Sequence, residues 1–276
     1  MRRAPRIDGM AWVVLTGLLC LGAIVVSAIC AEGGGTPASA PLARTLDWQA
    51  ALGLHEPWRL FTSAWVHWSL AHLAVNVAGG AVVAFVGWRA RLSRDDALAW
   101  LLAWPLTQMV MAVVDPVRLA AAMPHYGGLS GVLHAGAVVL GLSLAWPRAR
   151  AGARTAVRAT PSRLDTRTSG IDPSRITEGP WAMTEMGAAT AVPMSTLDQP
   201  PAPGPLAAPT RPLRERWIGV AIVAGTFMKV VSEAPWDLAP RTSEALGIAV
   251  APVAHACGLV AGIVAWGTVR GLARRR

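Results

Sequence analysis

The chain has 276 residues, of which 53% are hydrophobic and only 15% charged, with a mean hydropathy of +0.42. That balance excludes an ordinary soluble domain. The net charge of +9 comes almost wholly from arginine, but the arginines stand in short clusters beside apolar blocks, a placement that argues against a nucleic-acid groove and for membrane orientation.

The first predicted element is an apolar run from Met10 to about Ala31, behind three arginines. It resembles a signal peptide, but its length suits a retained span: about 20 residues cross about 30 Å of hydrocarbon. Residues 32–64 follow as a first outer loop. Trp48, Leu52, Leu54, Trp58 and Leu60 make it amphipathic and rich in indole, which places it in the membrane interface. Further apolar blocks cover roughly 65–88, 97–114 and 128–146. Residues 148–212 then break the pattern. They are rich in Ala, Pro, Thr, Ser and Arg, without apolar periodicity, and are expected to form a disordered loop. The last two blocks are 217–232, short and containing Lys229, and 246–269. Cys20, Cys30 and Cys257 lie in or beside spans and read as small apolar residues.

Six helical spans in an all-α membrane protein are therefore expected. Their loops set an orientation. With the N-terminus in the cytoplasm, 20 Lys and Arg residues fall on cytoplasmic segments and 4 on the opposite loops. The long loop counts little in that rule, but without it the split is still 10 to 4. This divides the chain into a cytoplasmic N-terminus (1–9), a core of four spans (10–147), a cytoplasmic loop (148–212), two further core spans (213–270) and a basic tail (271–276).

Polar groups inside spans are costly and mark function by default. The second span carries His67, His72 and Asn76, with His72 and Asn76 four apart on one helical face. The fourth opens on Ser130 between Gly128 and Gly131, with His134 four residues later. The sixth holds His255 followed by Gly258 and Gly262, a small-residue seam that lets another helix approach closely. All three spans enter from the outer face, which brings Ser, His, His and Asn to one level, about 10–17 Å deep for the residues of spans two and six. These are the parts of an acyl-transfer site: a hydroxyl, an imidazole base and donors for an oxyanion. No carboxylate in the spans looks placed to orient His255, so a Ser–His pair without an acid is expected. A metal site fails on ligand type, because there is no HExxH and no carboxylate near His67 or His72.

Here the sequence resembles the rhomboid family of intramembrane serine proteases. His67, His72 and Asn76 match its HxxxxHxxxN signature, Gly128 to Gly131 its GxSG, and Ala254, His255, Gly258 and Gly262 its AHxxGxxxG, while Trp58–Arg59 match the WR pair of the first loop. The resemblance implies a six-span rhomboid-like bundle with Ser130 as nucleophile and His255 as base. It implies an oxyanion hole of His72, Asn76 and the Ser130 N–H, a structural His67, and a first loop braced by Trp58–Arg59. It implies no cofactor, no metal and no nucleic acid, but transmembrane protein substrates in a lipid bilayer. His134 in GLSGVLH, the EPWRLFTSAWVHW stretch and KVVSE around Lys229 and Glu233 look like the rhombosortase branch. That branch implies a bacterial inner membrane and substrates with C-terminal Gly-Gly anchors. The 148–212 loop departs from its compact form. Two rival expectations remain: a catalytically silent rhomboid-like protein that escorts spans, and a small transporter, for which there is no inverted repeat.

Overall fold

The computed structural model describes residues 9–32, 40–52, 54–147 and 212–275. The expected loop 148–212, except for Pro212, and residues 1–8 lie outside them.

Helix α1 (Met10–Glu32) is apolar on every face. Trp12, Leu15, Leu19, Ala23 and Val26 are buried at helical spacing, while Val14, Leu18, Leu21, Val25 and Ile29 are exposed. An outer face as apolar as the inner one suits hydrocarbon, not water. Two short helices, α2 (Pro41–Leu46) and α3 (Arg59–Thr62), shape the first loop, and a 3-10 turn at Ser63–Trp65 ends it.

Helix α4 (Leu70–Arg89) starts where the Ser69 hydroxyl accepts the His72 backbone N–H. His67 therefore precedes the helix, a correction to its expected place inside the second span. Helix α5 (Arg94–Val113) opens on a capping box of Ser93 and Asp96, with Asp95 and Asp96 complementing the helix dipole. A short α6 (Pro116–Ala122) follows, capped by Asp115. Next come α7 (Ser130–Ala145) and α8 (Leu213–Ser232). A hairpin of β1 (Arg241–Ser243) and β2 (Ile248–Val250), with Arg241 opposite Val250, leads into α9 (Pro252–Arg275).

Four helices, α1, α4, α5 and α9, are long and apolar enough to cross a membrane. This is the pattern of an all-α, multi-pass membrane protein. Helix α7 is apolar but has only 16 residues. Helix α8 has 20 residues but carries Arg214, Glu215, Arg216 and Lys229.

Tryptophans and glycines hold the bundle together. The Trp12 indole donates to the Val83 carbonyl at 2.9 Å, tying α1 to α4, and Trp100 donates to Val132 at 2.9 Å, tying α5 to α7. The two rings meet at 4.5 Å between centroids. Helix α9 packs against α5 and α7. A methyl group on Gly258 would overlap the Gly131 carbonyl, and one on Gly262 would sit 2.7 Å from the Ala135 oxygen, so these backbones touch. At the far end of α7, Ser143 donates to Asp96 at 2.7 Å and accepts from Trp266 at 3.0 Å, joining α5, α7 and α9.

Candidate active site

Ser130 is the first residue of α7, and the chain reaches it through Gly127 and Gly128. Gly128 has φ of 144°, open to glycine and strained for other residues. A Cβ there would also lie 2.8 Å from His72 Cε1. Its N–H donates to the Ser63 carbonyl at 3.0 Å, fixing the turn against the end of the first loop.

Helix α9 presents His255 to this turn. The Ser130 hydroxyl donates to His255 Nε2 at 3.0 Å, across 125 positions of sequence. The other ring nitrogen, Nδ1, donates to Glu233 Oε2 at 2.7 Å. The second oxygen of Glu233 pairs with the Lys229 ammonium one turn earlier in α8. The expected absence of an orienting carboxylate is thus overturned. Glu233 sits just beyond the last turn of α8, outside the apolar spans, and the fold brings it to His255, 22 positions further along the chain.

His134 lies flat on His255, with ring centroids 4.2 Å apart and planes 15° from parallel. Its Nδ1 donates to the Ser130 carbonyl at 2.8 Å. His134 thus covers one face of the His255 ring.

The second-span residues arrive from α4 and the segment before it. Asn76 Nδ2 donates to His67 Nε2 at 3.0 Å, leaving His67 Nδ1–H to donate to the Trp65 carbonyl at 3.3 Å. His67 thereby holds Asn76 in place. The His72 ring packs on His67 at 4.8 Å and lies under Gly128, its buried Nδ1 without a partner among the described residues. His72, Asn76, Ser130, His134, Glu233 and His255 all border one cavity of about 690 Å³. Of its other walls, Val75, Gly79, Leu133 and Gly225 are apolar or small, while Lys229, Arg241 and Thr242 are charged or polar. A second cavity of about 380 Å³, under Met123 to Gly127 and β2, also ends on His72 and Ser130.

The first loop is pinned by Arg59, which is buried. It bonds Asp47 Oδ1 at 2.9 Å, the Asp47 carbonyl at 2.6 Å and Glu56 at 2.5 Å. Asp47 Oδ2 takes His125 Nδ1 at 2.6 Å. Trp48 and Tyr126 exchange backbone hydrogen bonds at 2.8 Å. The loop is thereby fastened to the strand-like segment that leads to Ser130. Trp58 is exposed and only donates to the Thr45 carbonyl at 3.3 Å, so Arg59 is the bracing member of the pair. Nothing in the sequence pattern set Asp47 or His125 apart from other loop residues.

A hydroxyl bonded to an imidazole that is bonded in turn to a carboxylate has the parts for nucleophilic attack on an acyl group. Among the described residues no group of His, Cys, Asp and Glu is arranged to hold a metal ion. No family model, curated protein or solved structure matches the chain.

Proposed function

We propose that the protein is an intramembrane serine endopeptidase of the rhomboid kind, nearest in its motifs to the rhombosortase branch. The observation that carries this reading is the 3.0 Å contact between Ser130 Oγ and His255 Nε2, made between helices with membrane-like composition. In the proposed reaction Ser130 Oγ attacks the scissile carbonyl and its proton passes to His255 Nε2. The oxyanion is held by His72, Asn76 and the Ser130 N–H, one of the first amides of α7, which lack partners within the helix. His255 returns the proton to the leaving amine, and water then hydrolyses the acyl-enzyme by the same route in reverse.

The two cavities that meet at Ser130 support a substrate with two kinds of flank. The larger, mostly apolar one runs along α4, α7 and α8 and suits a membrane segment. The smaller one, under the loops, suits an unwound stretch beside the scissile bond. In this reading α7 and α8 complete six spans with α1, α4, α5 and α9, and both termini face the cytoplasm of a bacterial inner membrane. The partners are single-span proteins, with C-terminal Gly-Gly anchors as the favoured class, and no cofactor takes part.

The test is cleavage of a model substrate that ends in Gly-Gly, one apolar span and a basic tail. Ser130→Ala is expected to abolish cleavage and labelling by a fluorophosphonate while the protein still inserts. A Ser130→Ala variant that cuts at the wild-type rate sinks the proposal. A wild-type protein that never labels favours the silent escort instead.

A further inference from the structure

We propose that Glu233, backed by Lys229, is the orienting acid of His255, so that the site works as a Ser–His–Glu triad. This rests on Ser130 and His255 being nucleophile and base.

A neutral imidazole has two tautomers, and only the one with hydrogen on Nδ1 offers a lone pair to the serine. The Glu233 carboxylate, 2.7 Å from Nδ1, selects that tautomer and leaves Nε2 facing Ser130 Oγ at 3.0 Å. A charged acceptor makes the stronger bond, and it also offsets the positive charge the ring gains as it takes the serine proton. Few positions on the ring are left free. His134 covers one face, and its own Nδ1–H is spent on the Ser130 carbonyl. His255 is 5% exposed, so water is a poor substitute for the carboxylate.

Local helix energetics do not explain Glu233. It caps the C-terminal end of α8, where exposed carbonyls disfavour a negative side chain. What offsets that cost is the pair of partners, one for each oxygen: His255 and Lys229. Burial pushes the Glu233 carboxyl upward, but hydrogen bonds from His255 and Lys229 outweigh it and bring the pKa down to about 2. The acid therefore stays ionised throughout the range in which a histidine base works. The other charged or titratable groups around it are His134 from α7, His72 from α4 and Arg241 from β1, all on the same cavity wall. None of them can supply the missing anion.

The experiment measures the rate at which a fluorophosphonate labels full-length protein in micelles, from pH 5 to 9. In that step the Ser130 Oγ–phosphorus bond forms, the phosphorus–fluorine bond breaks, fluoride leaves, and the serine proton goes to His255. Glu233→Gln is expected to slow labelling by about 100-fold or more, in line with removal of the acid in other triads. Its acid limb moves to lower pH, because the protonated ring has lost its counter-charge. Glu233→Asp keeps the charge and recovers part of the rate. Lys229→Met moves the acid limb the opposite way, to higher pH, because a cation near the protonated ring is gone. This second variant decides the matter if Glu233→Gln does not fold. Labelling of Glu233→Gln at the wild-type rate, or limbs that stay put in both charge variants, overturns the triad. Labelling of Ser130→Ala at the wild-type rate overturns the protease reading itself and is a distinct result.

Discussion

Asp47 has no exposed surface, and its two carboxylate oxygens serve different side chains, the Arg59 guanidinium and the His125 ring. Burial pushes its carboxyl upward, while hydrogen bonds from Gln49 and His125 and the charge of Arg59 hold it back, with a net rise. The cost of hiding the acid is thus only partly offset, and removing it is worse, because buried Arg59 would lose its fully buried counter-charge and keep only the part-exposed Glu56. Asp47→Ala is expected to lose about 3–5 kcal/mol, read as a fall in Tm in micelles. The Asp47→Ala, Arg59→Ala double variant is expected to lose less than the two single losses combined, and additive losses would refute the coupling. Neither Asp47 nor Glu233 was legible as a site residue. Each meets its histidine through the fold, 78 and 22 positions away, and no periodicity marks a carboxylate in a loop or one residue past a helix. His255, His72 and Asn76 stood out because an ionisable or amide group in an apolar run is costly, whereas Ser130 stood out through its setting between Gly128 and Gly131 and its pairing with His255.

At the scale of elements, the fit of α9 against α7 leaves no room for a side chain at Gly258. Gly258→Val forces the helices apart, at a cost of about 1–3 kcal/mol for overpacking. The larger effect is on geometry, since the shift falls at the helix pair that carries Ser130 and His255. The expected outcome is loss of fluorophosphonate labelling greater than the modest fall in Tm would explain. Labelling at the wild-type rate would show that the seam does not set the spacing. The seam itself was readable from Gly258 and Gly262 at four-residue spacing. The start of α4 was not. The apolar run begins before Ser69, but the hydroxyl of Ser69 caps the helix there, and His67 falls in the turn outside it. Hydropathy follows apolar content, whereas the first turn of a helix follows its cap.

For the whole molecule, composition sufficed to show an all-α membrane protein, because α1, α4, α5 and α9 carry apolar residues on their exposed faces as well as their buried ones. The proposed sixfold crossing depends on α7 and α8, one short and the other charged at both ends, and there the apolar signal weakens. The proposed orientation has a direct check. A fluorescent-protein fusion at the C-terminus is expected to fluoresce, and an alkaline phosphatase fusion at Thr242, in the hairpin before α9, is expected to be active. The reverse pattern would invert the topology. The arginine clusters made this expectation possible, whereas the hairpin that borders both cavities gave no sign in the sequence beyond Gly247.

The backbone contact between Gly131 and Gly258 has one more consequence. Main chain, not adaptable side chains, sets the gap between hydroxyl and imidazole, so the pair is armed at rest and needs no visitor to assemble it. In the proposed protease, restraint over what is cut then passes from the bond-breaking step to admission: good and poor clients of such a site differ in how readily they get in.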